Sequence, residues 1–155
     1  MSDIFTKSQR SKIMAKVRST HNLSTELALK KVLKAKKIVG WRSNISSVFG
    51  KPDLIFRGRK IALFVDGCFW HGCRQCKRNL SPSSNVSFWE KKIKRNRLRD
   101  KIVSKSLILS GWNVLRIWEH DVQKPSPSWL RKLKILVQSD LPPKSGHLQL
   151  EYSAV

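Results

Sequence analysis

Two apolar runs, Asp53-Leu-Ile-Phe56 and Ile61-Ala-Leu-Phe-Val65, flank the tetrapeptide Arg57-Gly58-Arg59-Lys60. Runs this short, rich in branched and aromatic residues and joined by a turn-forming loop, are the signature of a β-hairpin. A hairpin sets its own register, because pairing is counted outward from the loop. If Phe56 faces Ile61, then Asp53 faces Phe64, and strand alternation puts Asp53, Phe64 and Asp66 on one face. Asp53 then lies beside the backbone carbonyl of Val65 and diagonally from Asp66, roughly 7 Å away between β-carbons. Such a group of hard oxygen donors suits a magnesium ion, which keeps several waters for a phosphate substrate. The competing reading has Asp53 capping a turn after Pro52 and Asp66 opening the next loop.

Around the hairpin, periodicity predicts helices. After a cap at Ser24, the segment to Lys37 repeats Leu29, Val32, Leu33 and Lys36 at helical spacing. Glu26 falls in its first turn, where an acid ordinarily serves the helix dipole. Residues 85–109 predict a long second helix, with Gly111 as its left-handed stop. Residues 112–118, WNVLRIW, read as a buried strand, and a short helix through Trp129, Leu133, Leu136 and Val137 follows Pro125-Ser-Pro127. This order predicts an α/β domain around a small mixed sheet. The boundaries expected are a basic arm at 1–20, a domain at 21–137 and a loose tail at 138–155 with Pro142, Pro143 and Gly146. With 155 residues, 40% of them apolar, and six Trp and six Phe, the chain can cover a real core, which excludes wholesale disorder.

The formal charge is +22, from 32 Lys and Arg against 10 Asp and Glu. Self-repulsion of that size opposes compaction, so a polyanion is expected to complete the surface, with nucleic acid the default partner. The arm carries Arg10 and Lys12 near Met14, and the long helix carries Lys91, Lys94 and Arg95 in its most basic stretch. No apolar run reaches the roughly 18 residues of a membrane span, and the start, with Asp3 and polar neighbours, has no apolar signal core. The expectation is a cytoplasmic, membrane-free protein.

All three cysteines fall in the nonapeptide Cys68-Phe-Trp-His71-Gly-Cys73-Arg-Gln-Cys76. Three thiols so close, with Cys73 and Cys76 at the spacing of a metal knuckle, suit a tetrahedral zinc site with four protein ligands and hence a structural role. A buried or redox-active trio is the alternative. Either His71 or His120 can supply the fourth ligand, and the other, beside a carboxylate, is then available as a general acid or base. Phe69 and Trp70 in this loop, and Trp89 at the start of the basic helix, are rings among cations, as a protein needs to wedge between base pairs or stack on bases. Core packing competes for all of them and is the expectation for Trp112, Trp118 and Trp129.

The strings FVDGCFWHGC, FWEKKIKRNRLRD and GWNVLRIWEH, with RSKIMAKVRS, the STE of Ser24 to Glu26 and the GKPD of Gly50 to Asp53 in the same order, resemble the very-short-patch repair endonucleases. The resemblance runs from about Arg10 to about Asp121. It implies a restriction-endonuclease-like fold, a catalytic magnesium and a structural zinc. It also implies nicking 5′ to the thymine of a T:G mismatch left by deamination of 5-methylcytosine, a functional link to a cytosine-5 DNA methyltransferase, a bacterial cytoplasm and a monomer. Carried over by position, Asp53 resembles the catalytic metal-binding aspartate, Val65 its carbonyl co-ligand, His71 the base and Glu26 an acidic helper. Cys68, Cys73, Cys76 and His120 resemble the zinc ligands. Phe69, Trp70 and Trp89 resemble the mismatch wedge, and Met14 enters from the other groove.

Two departures accompany the resemblance. Phe64, Val65 and Asp66 stand where the wider nuclease superfamily has an acid, any residue and a lysine, and Cys76 stands where many relatives have His. Asp66 remains a further carboxylate near the ion by the diagonal geometry. The rival readings are a restriction-type nuclease that cuts matched DNA and a non-catalytic, zinc-stabilised nucleic-acid binder.

Overall fold

A computed structural model describes residues 8–9, 25–43, 45–76 and 85–138. Arg10, Lys12, Met14 and the expected cap Ser24 lie outside the described residues, as does the tail beyond Gln138. The elements, in chain order, are α1 (Glu26–Ala35), β1 (Arg42–Ser43), β2 (Leu54–Phe56), β3 (Ile61–Asp66), α2 (Val86–Leu109), β4 (Asn113–Trp118), α3 (Glu119–Gln123) and α4 (Pro127–Gln138). Two of them, β1 and α3, are too short to leave a periodic signal and were not expected from the sequence.

The hairpin pairs as counted: Phe56 opposes Ile61 and Leu54 opposes Leu63. Its loop is a 3-10 turn at Arg57–Arg59 closed by Lys60 in the left-handed region. The four strands lie in the order β1-β2-β3-β4, antiparallel up to β3, with β4 parallel to β3. A parallel neighbour requires a long crossover, and the segment containing α2 supplies it.

Alternation sorts the side chains of this mixed sheet into two layers. Leu54, Phe56, Ile61, Leu63, Val65 and Ile117 pack against Leu29 and Leu33 of α1 and Trp129, Leu130 and Leu133 of α4. On the other face Ile55, Ala62 and Phe64 meet Val103 and Leu107 of α2. Helices on both faces explain why β3 is buried at all six positions and reads as a continuous apolar run. Fully burying Leu29 or Leu33 contributes about 2 kcal/mol each.

The long helix ends as its glycine requires. Gly111, at φ +78, donates its N–H to Ile108 O, and Trp112 donates to Leu107 O, the paired bonds of a left-handed stop. Gly50 has a different reason. A Cβ there would sit 2.1 Å from Val103 Cγ1, so only glycine lets the loop before Asp53 press against α2. Of the three tryptophans assigned to packing, Trp129 is in the core and donates its ring N–H to Asp121 O. Trp112 packs at the edge of the α2 layer, while Trp118 is half-buried and stacks on His120 with 6.4 Å between ring centres.

Candidate active site and thiol–imidazole cluster

The ends of β2 and β3 open on the α2 side into a cavity of about 650 Å³. Asp53, Phe64, Asp66, His71, Asp100 and Arg116 are among its lining residues. Asp53 and Asp66 share it because the counted register puts them on one face of the sheet. The Asp53 Oδ2 accepts the backbone N–H of Val65 at 2.7 Å, which pins the carboxylate to the end of β3. Burial pushes the Asp53 carboxyl up to about 6, against that hydrogen bond, and the negative charges of Glu26 and Asp66 push the same way. Positive charge is thus in deficit at Asp53, and a divalent cation on hard oxygen donors would supply it.

Glu26 is 5% exposed and accepts Lys30 Nζ at 2.6 Å. An acid there only for the helix dipole would face water. Here α1 turns it inward, close enough to raise Asp53.

Asp66 is the last residue of β3, not the first of a loop, and is 3% exposed. Its Oδ2 accepts Nε of Arg116 at 2.8 Å, and its Oδ1 accepts Nη2 of the same guanidinium. Much of its accepting capacity is therefore directed at an arginine. His71 Nδ1 lies 2.5 Å from Asp100 Oδ2 and 3.7 Å from Asp66 Oδ1. Burial pushes the Asp100 carboxyl up, but the hydrogen bond to His71 and the charges of Arg116, His71 and Arg99 outweigh it and hold it below the usual carboxylate value. An ionised carboxylate only accepts, so Nδ1 carries a proton, and Nε2 is the nitrogen through which a neutral ring can accept. That is the arrangement of a general base oriented by an acid.

The loop bearing His71 is gripped by α2. Asn96 Nδ2 donates to Trp70 O at 2.9 Å, Arg97 Nε donates to His71 O at 2.8 Å, and Arg97 Nη2 donates to Gly72 O. One helix therefore carries Asp100 and holds the loop of His71.

His120 Nδ1 lies 3.2 Å from Cys68 Sγ and 3.6 Å from Cys73 Sγ. The donor atoms of Cys68, Cys73 and His120 all lie within 4.8 Å of one another. Cys76 is outside that trio, and its thiol still acts on that of Cys68. Burial, with the two neighbouring thiols, pushes the Cys68 thiol up to about 12. Soft donors converging in a buried pocket fit zinc, whose charge would reverse that penalty and hold the thiolates.

Phe69, Trp70, Phe88 and Trp89 form a ring cluster, with neighbouring centroids 5.1 to 5.8 Å apart. Lys92 Nζ lies 5.1 Å from the Trp70 ring centre and 5.3 Å from that of Trp89. Trp89 is 6% exposed and forms the base of the cluster, whereas Phe69 and Trp70 are half-buried and Phe88 is exposed. Lys91, Lys94 and Arg95 are exposed on α2.

Sequence reasoning missed Asp100, Arg116 and Phe88. Two of them left a signal: Asp100 is the single acid in residues 91–109, and Arg116 interrupts the apolar run of β4. An ion placed against the local pattern marks a partner elsewhere in the fold.

The family model described as "DNA mismatch endonuclease Vsr" matches residues 2–78. The chain is 40% identical over 136 residues to the "Type II nicking enzyme V.NmeDIP" of Neisseria meningitidis serogroup C, covering 88% of this chain and 90% of that protein. It is 43% identical over 122 residues to the "Type II nicking enzyme V.HpaIIP" of Haemophilus parainfluenzae, covering 79% and 86%. It is 32% identical over 119 residues to the "DNA mismatch endonuclease Vsr" of Escherichia coli (strain K12), covering 77% and 74%.

Proposed function

The chain belongs to the Vsr family and is a DNA endonuclease, and from that premise we propose that it nicks one strand of duplex DNA 5′ to the thymine of a T:G mismatch. The observation that carries the reading is the meeting of Asp53 and the His71–Asp100 pair in one cavity. Asp53 and the carbonyl of Val65 would hold a magnesium ion, with the negative charge of Glu26 acting on the same carboxylate. Magnesium, when bound, polarises the scissile phosphate and offsets the charge that develops on it. His71 takes at Nε2 the proton of the water that attacks phosphorus in line, the bond to the ester oxygen opposite the water breaks, and that leaving oxygen takes a proton from solvent, while Asp100 orients the ring and stabilises the imidazolium that forms.

Binding precedes this step. Lys91, Lys94 and Arg95 on α2, with Arg10 and Lys12 of the arm, neutralise phosphates. Phe69 and Trp70, backed by Trp89, enter the weakly stacked mismatch from one groove and Met14 from the other. A mismatched step costs less to unstack than a paired one, so discrimination comes partly from deformability. Cys68, Cys73, Cys76 and His120 would hold a structural zinc, which would tie down the loop between wedge and base. The mixed sheet with helices on both faces supports a restriction-endonuclease-like fold for the 21–137 domain, with 1–20 as DNA-binding arm and 138–155 as tail.

The reading extends to repair of deaminated 5-methylcytosine beside a cytosine-5 methyltransferase, by a monomer in the cytoplasm. Among the described residues no helix is long and apolar enough to cross a membrane. The names of the two nicking relatives support cleavage of a single strand. Strand-labelled duplexes carrying T:G, T:A or C:G, with magnesium and in varied flanking sequence, test it against Asp53→Ala. Nicking of the thymine strand at T:G only, lost in the variant, is the expected result. Equal cutting of matched DNA would move the assignment to a restriction-type nuclease, and binding without cleavage in every context to a non-catalytic binder.

A further inference from the structure

Arg116 occupies a mid-strand position in β4 between Leu115 and Ile117, and its side chain is 10% exposed. A guanidinium is tolerated at such a site only where its charge is met. Nε and Nη2 donate to the two oxygens of Asp66, and Nη2 also reaches Asp100 Oδ1 at 3.1 Å. Phe64, its register partner on β3, puts a ring face 4.8 Å from the guanidinium carbon. The fork is therefore fixed from the side and from below.

The consequence falls on His71. Asp100 meets His71 with Oδ2 and Arg116 with Oδ1, so its carboxylate is held at both ends. Asp66 Oδ1, 3.7 Å from His71 Nδ1, is a second acceptor within a small rotation of the ring, and Arg116 directs both Asp66 oxygens at itself. We propose that Arg116 is the positioning residue of the nicking reaction, its planar fork leaving Asp100 as the one carboxylate that aligns the His71 ring. The proposal rests on the reading of His71 as the base. Lysine cannot do this work. Its ammonium is a point charge on a flexible stem and cannot hold two carboxylates in a fixed mutual plane.

Arg116→Lys in the full-length protein tests the claim, because it keeps the buried charge and removes only the fork. Single-turnover nicking of the T:G duplex with magnesium is expected to fall about a hundredfold, the usual effect of a misplacement near 1 Å. Affinity for the same duplex in calcium is expected to change less than about twofold, since no phosphate-binding residue is altered. Adding Asp66→Asn to Arg116→Lys removes the competing carboxylate and is expected to restore part of the rate. A merely structural salt bridge predicts the reverse, a double variant slower than the single one. Long-range proton–nitrogen spectra of histidine-labelled wild-type protein, with His71→Gln for assignment, should show Nδ1 protonated and Nε2 bare, a readout taken on the wild-type fold itself.

Arg116→Lys nicking at the wild-type rate, or the opposite tautomer at His71, would overturn the proposal. A wild-type protein that nicks nothing would overturn the reading beneath it instead.

Discussion

Replacing Asp53 by Asn should make the magnesium-free protein more stable while abolishing nicking. The Asp53 carboxyl is pushed from 3.8 to about 6, first by burial and then by Glu26 and Asp66. Because the folded-state value lies above the unfolded one, the folded protein holds the extra proton between about pH 4 and pH 6, and stability falls as pH rises through that window. Above it the cost of keeping the group ionised reaches about 3 kcal/mol, at 1.36 kcal/mol per pH unit, and this is an upper bound. Asparagine carries no charge, and its side-chain oxygen can still accept the Val65 N–H that Asp53 accepts at 2.7 Å.

Urea unfolding followed by tryptophan fluorescence, in magnesium-free buffer with the thiol cluster untouched, should place Asp53→Asn up to about 3 kcal/mol above wild type at neutral pH. Near pH 4 the two should coincide. Magnesium should then stabilise the wild type with each tenfold rise above its dissociation constant, and leave the variant unmoved. A variant no more stable than wild type at neutral pH would refute the reasoning, because Asp53 would then be comfortable as an anion and would have no deficit for a cation to fill.

The other expectations concern the partners of Asp53 and the surfaces around it. Asp100→Asn removes the ionised acceptor of the His71 proton and should slow single-turnover nicking by about 10³–10⁴, with duplex affinity unchanged in a calcium binding assay. Trp70→Ala should weaken binding to T:G more than to T:A duplex by about 1–3 kcal/mol, measured by fluorescence anisotropy. Joint replacement of Lys91, Lys94 and Arg95 by Ala should flatten the salt dependence of affinity by about 0.9 in log–log slope for each phosphate that is no longer neutralised. Purified protein should carry zinc at about one atom per chain by atomic absorption, and a strong chelator should lower its melting temperature; a metal-free preparation of undiminished stability would remove the zinc assignment.

Much of the site was legible because hairpin register is a local property. Counting from Phe56 and Ile61 brought Asp53 to the end of β3 and onto the face of Asp66, since side-chain period and loop length are both written in the chain. The nonapeptide likewise announced a thiol cluster. Its spacing left His71 and His120 interchangeable; the return of β4 beside β3 brings His120 to Cys68, and the packing of α2 on the loop brings His71 to Asp100. Glu26 looked like an ordinary first-turn acid, because the sequence of a helix does not say which way that turn faces.

The sequence by itself determined the hairpin and its register, the helix boundaries near Gly111 and Pro127, the demand for a polyanion and the crowding of cysteines. Each of these is set by interactions a few residues apart or by composition. Tertiary structure alone decided that Arg116 is shared between Asp66 and Asp100, that Asp100 is the carboxylate at 2.5 Å from His71, and that Trp89 is the base of the ring cluster. The charge pairings join the end of β3 and the loop after it to α2 and β4 across 16 to 50 positions of chain, from Asp100–Arg116 to Asp66–Arg116. What selects them is the parallel crossover, which lays the two strands side by side and sets the long helix over one face, so that buried charges find the nearest opposite charge in space rather than in sequence.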